Sequence, residues 1–106
     1  MKIRHDKRHH RFSLKLGAYE ANLMYAKRGK TLDFYHIYVP DPFRNRGHAA
    51  RILIAAFDYA RRHRYRVIPS CPFIRDDFLT RFPQYQSLVG VGEFPFAPAK
   101  KVQVSR

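Results

Sequence analysis

From Phe12 to Leu16 apolar and polar residues alternate, with Phe12, Leu14 and Leu16 set against Ser13 and Lys15. This is the period-two mark of a half-buried strand. Tyr19 to Lys27 predicts a second strand, weakened by its alanines, and Thr31 to Val39 a third. Arg28-Gly29-Lys30 supplies the hairpin turn between the last two, with glycine available for positive φ. Strict alternation along the third strand puts Leu32, Phe34, His36 and Tyr38 on one face and Asp33, Tyr35, Ile37 and Val39 on the other. Pro40 and Pro42 then stop the strand and hold the loop extended. From Gly47 the spacing turns helical: Ala49, Leu53, Ala56 and Ala60 form a stripe widened by Ile52 and Phe57, with Arg51, Asp58, Arg61 and Arg62 outside it. Arg61, Arg62 and His63 suit the negative end of the helix dipole. A short strand over Arg66 to Ser70 and a helix over Phe73 to Phe82, ended by Pro83, complete the ordered pattern. Antiparallel strands followed by helix, strand and helix predict an α/β fold with a mixed sheet. In it the last strand returns parallel to the third through a right-handed crossover.

The 106 residues suit one domain, and 45 % hydrophobic with 15 % aromatic content is enough for a modest core. Residues 1–11 are basic and carry His5, His9 and His10, which predicts a solvated, partly frayed terminus rather than a metal site. Residues 12–90 form the predicted domain. From 91 to 106 a tail with Gly92, Pro95, Pro98 and Lys100-Lys101 is expected to wrap the surface or to move. Lys and Arg outnumber Asp and Glu by 21 to 8, for a formal charge of +13. Such a field attracts nucleic acid, an anionic membrane or a phosphorylated cofactor alike, so charge does not choose among them. Cys71, the only cysteine, excludes an internal disulfide and a thiolate zinc cage. No apolar run approaches the roughly 20 residues that span a bilayer, and the basic start lacks the apolar stretch of a secretory signal. A cytoplasmic location, bacterial or organellar, is expected.

Three positions could carry chemistry. The turn Val39-Pro-Asp-Pro-Phe-Arg-Asn-Arg-Gly-His-Ala leads from a strand into a helix, with Arg44 and Arg46 flanking it and Gly47 at the helix start. Free N–H groups and the positive dipole end there suit a phosphate, although an ordinary strand-to-helix loop would read the same. Cys71 lies at the carboxyl end of the last strand, where ligands gather in open α/β sheets, although an isolated thiol is more often inert. His36 shares its expected face with Leu32 and Phe34, which predicts a hydrogen-bonded core histidine; a general base would need an open approach. His48 on the loop is a candidate donor to phosphate, and His63 a helix C-terminal cation.

The segment from Tyr35 through Tyr85 resembles the small single-domain GCN5-related N-acetyltransferases (GNAT) of the YjdJ type. Their pattern is His-Thr-x-Val-Pro, Arg-Gly-x-Gly-x-Gly/Ala, a helix ending Tyr-Ala-Arg, Val-x-Pro-x-Cys-Pro-Phe/Tyr, then a second helix and His-Pro-Glu-Tyr. The chain offers His36-Ile37-Tyr38-Val39-Pro40, Arg44-Asn45-Arg46-Gly47-His48-Ala49, Tyr59-Ala60-Arg61, Val67-Ile68-Pro69-Ser70-Cys71-Pro72-Phe73 and Phe82-Pro83-Gln84-Tyr85. It departs at Ile37 for Thr, at Asn45 for the first glycine, and at Phe82 and Gln84 for His and Glu. The stretch from Cys71 to Tyr85 is also about one residue longer than the pattern.

The resemblance implies a GNAT-like sheet whose third and last strands splay apart, with acetyl-CoA as cosubstrate entering the V. Tyr38 and Val39 would pair with the pantetheine arm. The pyrophosphate would sit on the turn of Arg44, Asn45, Arg46, Gly47, His48, Ala49 and Ala50. Catalysis would fall to His36 as base, with Cys71 near the thioester and an unidentified amine as acceptor. Direct transfer is the simpler route, and an acyl-Cys71 intermediate the alternative. Two other readings stand beside an acyltransferase: a non-catalytic CoA or acetyl-CoA binder, suggested by the departures, and a basic nucleic-acid-binding protein, suggested by charge and interleaved aromatics.

Overall fold

The computed structural model describes residues 2–90. Five strands form one sheet in chain order: β1 Ile3–Asp6, β2 Arg11–Leu16, β3 Tyr19–Arg28, β4 Thr31–Tyr38 and β5 Arg66–Ile68. The first four pair antiparallel, while β5 runs parallel to β4 after the crossover helix α1, His48–Arg62. A π-helical segment, Phe73–Phe78, continues into α2, Leu79–Arg81, and a 3-10 stretch, Pro83–Leu88, follows. The wider i→i+5 turns take up an additional residue, in the stretch that is about one residue longer than the family pattern. The expected tail at 91–106 lies outside the described residues. No described helix is long and apolar enough to cross a membrane.

One face of the sheet carries Phe12, Leu14, Leu16, Ala21, Leu23, Tyr25, Leu32 and Phe34, all buried. Onto it α1 lays the predicted stripe, with Ile52, Leu53, Ala56, Phe57 and Ala60 each fully buried. Phe57 sits at the centre. Its ring meets Phe34 edge-on at 5.1 Å, stacks on Phe78 at 5.5 Å and lies 5.3 Å from Tyr85. One aromatic cluster thus joins sheet, crossover helix and C-terminal segment.

Two expectations are corrected. The basic N-terminal segment is not a loose end over residues 3–6: Ile3–Asp6 forms β1, registered from Ile3 opposite Leu14 to Asp6 opposite Arg11. His5 stacks on Phe12 at 3.9 Å and sets its Nε2 2.6 Å from the Tyr25 hydroxyl. Burial lowers the His5 pKa to about 4, helped by the nearby Lys7 charge, and raises that of Tyr25 to about 12. Unfolded, His5 titrates near 6.5, so its contribution is fully present above that pH and is lost as pH falls towards 4. Stability should drop by about 1–2 kcal/mol over that window, after allowance for solvent screening at this half-buried ring. The His5→Phe variant should show a flatter melting profile from pH 6.5 to 4.5 than the parent, measured by circular dichroism.

The second correction concerns β4. Tyr25 pairs with Phe34 but Met24 with His36, so Tyr35 is an extra residue in a β-bulge. The bulge inverts the alternation beyond it. Ile37, opposite Leu23, joins the core face, while His36, with Met24 and Tyr38, turns to the other. His36 is therefore exposed rather than a core histidine.

Candidate functional site

Beta pairing between β4 and β5 lasts three residues, from Thr31 opposite Arg66 to Asp33 opposite Ile68. Pro69 then ends β5, and the Cys71 amide makes a last cross-link by donating to the Phe34 carbonyl at 3.2 Å. Beyond it the two chains part, leaving the far edge of β4 without a strand partner. A groove of about 680 Å³ opens there between the end of β4, the 39–50 turn and the start of the second helical segment.

The turn is built by its own side chains. Pro40 begins a 3-10 turn over Asp41–Phe43, and the Arg44 amide closes it on the Asp41 carbonyl. The Arg44 side chain folds back, its Nε donating to the Val39 carbonyl at 2.8 Å and its guanidinium pairing with Asp41 at 3.0 Å. Arg44 thus lines the groove as a clamp on the turn. Asn45 takes φ 62° and Gly47 φ 84°, both left-handed. A Cβ at Gly47 would meet nothing within 4 Å, so its demand for glycine comes from φ and not from crowding.

Gly47 is the N-cap of α1 and supplies no side-chain cap. The first-turn amides of His48, Ala49 and Ala50 accordingly keep their unsatisfied donors and the positive end of a 15-residue helix at the groove. His48 Nδ1 and Ser70 Oγ are buried without a hydrogen-bond partner among the described residues. The first is an orphaned polar atom within the groove lining, the second sits beside Cys71.

Of the expected residues, His36, Tyr38, Val39, Arg44, Asn45, Gly47, His48, Ala49, Ala50 and Cys71 line this one groove. Arg46 is exposed and outside the lining. The structure adds Ile37, Phe43, Phe73, Asp77 and Arg81. Phe43 packs edge-on against both Tyr19 and His48, at 5.5 and 6.1 Å, and gives the mouth an apolar wall. Asp77 and Arg81 pair at 3.2 Å on the rim. The Asp41-x-x-Arg44 spacing was a legible signal for the clamp. Nothing local in the sequence marks Asp77 and Arg81, which reach the groove only through tertiary packing. Cys71 is half-buried, and its carbonyl accepts the amides of Ile74 and Arg75 at 3.0 Å each, starting the second helical segment.

Residues 11–88 match the profile of the GCN5-related N-acetyl-transferase family. Protein NATD1 of Xenopus tropicalis is 35 % identical over 78 residues, covering 71 % of this chain and 72 % of that protein. Protein NATD1 of Bos taurus is 33 % identical over 78 residues, covering 71 % and 69 %. The solution NMR structure of a GCN5-like protein from Staphylococcus aureus superposes with a TM-score of 0.65 at 21 % identity, covering 87 % of this chain and 90 % of that one. That likeness establishes the fold, a mixed sheet with its parallel pair at the crossover.

Proposed function

The chain belongs to the GCN5-related N-acetyltransferase family, and on that premise we propose that it transfers an acetyl group from acetyl-CoA directly to an amine presented at the groove. The observation that carries this reading is the meeting, in one groove, of the uncapped first turn of α1 and the unpaired edge of β4. A long ligand with a phosphate-rich end and an amide-bearing arm matches both. The buried, partnerless Nδ1 of His48 adds a polar atom that a bound ligand would satisfy.

Acetyl-CoA supplies an acyl carbon already activated as a thioester. The amides of residues 48–50 hold the pyrophosphate against the helix dipole. Arg44, committed to Val39 and Asp41, keeps the turn in shape for that contact. The parted edges of β4 and β5 offer backbone hydrogen bonds to the arm and exclude water from the thioester. His36, exposed by the bulge, accepts the proton that the amine gives up as the C–N bond forms and the C–S bond breaks; CoA leaves as its thiolate and is then protonated from His36 or solvent.

Cys71 carries no acyl group on this route. The Cys71→Ala variant should retain turnover within a few-fold, whereas His36→Ala should lose roughly 10²-fold in kcat with little change in KM for acetyl-CoA. Thiol release across a panel of amines measures both. An inactive, folded Cys71→Ala protein would instead require the covalent route.

A further inference from the structure

At the end of the sheet opposite the groove, four separate segments bring cations together. Lys27, Arg28 and Lys30 flank the β3–β4 hairpin, Arg62 and Arg64 end α1, and Arg66 opens β5. They are neighbours: the Arg66 amide donates to the Lys30 carbonyl at 2.8 Å, and Lys30 Nζ donates to the His63 carbonyl at 3.3 Å. The β1–β2 turn adds Lys7 and Arg8. It is tied to the same end by the Tyr25 amide, which donates to the His10 carbonyl at 3.1 Å, and by Lys7 over the Tyr59 ring at 6.0 Å. Tyr59 lies 5.9 Å from Tyr65, whose ring Lys27 and Lys30 approach at 5.5 and 5.0 Å. All of these cations are exposed, and none is in an ion pair among the described residues.

Part of this arrangement serves the fold, since Lys30 Nζ donates to the His63 carbonyl and the Arg66 guanidinium donates to the Ser87 carbonyl at 3.1 Å, but those two contacts do not account for the whole cluster. A helix dipole rewards cations in its last turn, but Lys27, Arg28, Lys30 and Arg66 stand on strands and a hairpin. Arg64 also occupies a left-handed position, φ 60°, where its amide and that of Tyr65 close the helix on Arg61 and Ala60. Glycine or asparagine is the unstrained choice there. The arginine at this left-handed position adds a cation to the pole at a site where glycine would be unstrained.

From this pole the geometry points to a sequence-independent nucleic-acid-binding surface that engages the phosphate backbone. The cations include five guanidiniums, those of Arg8, Arg28, Arg62, Arg64 and Arg66, the group best matched to phosphate oxygens. Among the described residues the exposed large apolar side chains are Tyr19, Tyr35 and Tyr38, and none of these three is at the pole, which favours a polyanion over a protein or membrane partner there. From Thr31 at the hairpin to His36 at the groove lining, β4 spans about 16 Å, which leaves room for both ligands on one molecule.

Fluorescence anisotropy of a labelled 20-base-pair duplex, read at stepped NaCl concentrations with the full chain, tests this. Binding should weaken with salt along a log–log slope of about −4 to −6, each phosphate contact contributing about 0.9. The Arg62→Gln/Arg64→Gly double variant should reduce the slope by about two and weaken binding about tenfold or more at low salt, while Arg64→Gly alone raises the melting temperature by relieving the strain. The Lys15→Gln/Arg75→Gln variant, with the same loss of charge elsewhere, should leave the slope unchanged. Absence of binding at 50 mM NaCl, equal weakening by the two double variants, or equal affinity for poly-L-glutamate of matched charge would each overturn the assignment. Saturating acetyl-CoA should leave the duplex affinity unaltered, so failure of either site is seen independently of the other.

Discussion

Replacing Ala49 by glutamate should abolish acetyl-CoA binding while leaving the fold intact or slightly more stable. Ala49 is in the first turn of α1, where the amides of residues 48–50 carry no side-chain cap. A carboxylate there is favourable to the helix, worth about 0.3–1 kcal/mol against the macrodipole. The same carboxylate would stand about 4 Å from a pyrophosphate seated on those amides. At an effective dielectric near 20 the repulsion is about 4 kcal/mol, a loss of roughly 10³-fold in affinity. The two effects have opposite signs. A melting temperature held or raised, with binding lost in calorimetry, therefore locates the phosphate subsite without ambiguity from misfolding. Unchanged affinity would remove the turn from the site.

Phe57→Ala should be the most damaging single change to the fold. The side chain is fully buried, and its ring contacts Phe34 of β4, Phe78 of the π-helical segment and Tyr85 of the last 3-10 stretch. Truncating a buried phenylalanine costs about 3–5 kcal/mol in lost burial plus cavity. The total stability of a chain this size is about 5–15 kcal/mol. A fall of roughly 12 °C or more in melting temperature is expected. Phe57→Leu, which fills most of the volume, should lose much less. A fall of under 5 °C for Phe57→Ala would mean that this cluster is not the centre of the core.

Much of the fold was legible because its elements follow the two simple periods. Phe12, Leu14 and Leu16 of β2 and Leu53, Ala56 and Ala60 of α1 are buried as the pattern requires, although Ser13 is buried too and Ala49 only half-buried, and Gly29 takes the positive φ that the hairpin needs. The parallel return of β5 follows from the crossover. Where the sequence misleads, a tertiary event lies behind it. A bulge adds one residue to β4 without altering the apolar pattern, since Phe34-Tyr35-His36-Ile37 reads equally well as unbroken alternation. The bulge alone moves His36 from core to groove. In β1 the apolar signal is weak, one isoleucine beside charged residues, and the strand is held by an aromatic contact of His5 with a residue of β2. The groove was approached through the turn and Cys71, which are local in sequence. Its far wall, Phe73, Asp77 and Arg81, depends on how the second helical segment packs. Arg44 and Arg46 look alike in the sequence, yet Asp41 and the Val39 carbonyl occupy the first and leave the second outside the groove.

Titration of the isotope-labelled chain with acetyl-CoA, followed through its backbone amide resonances, tests the central claim most directly. Saturable shifts should appear in the amides of residues 36–39, 45–50, 71 and 73, and should vanish in the Ala49→Glu variant. Shifts confined to residues 61–66 and the hairpin at 27–30, or no shifts at millimolar ligand, would contradict the placement of acetyl-CoA between the parted strands.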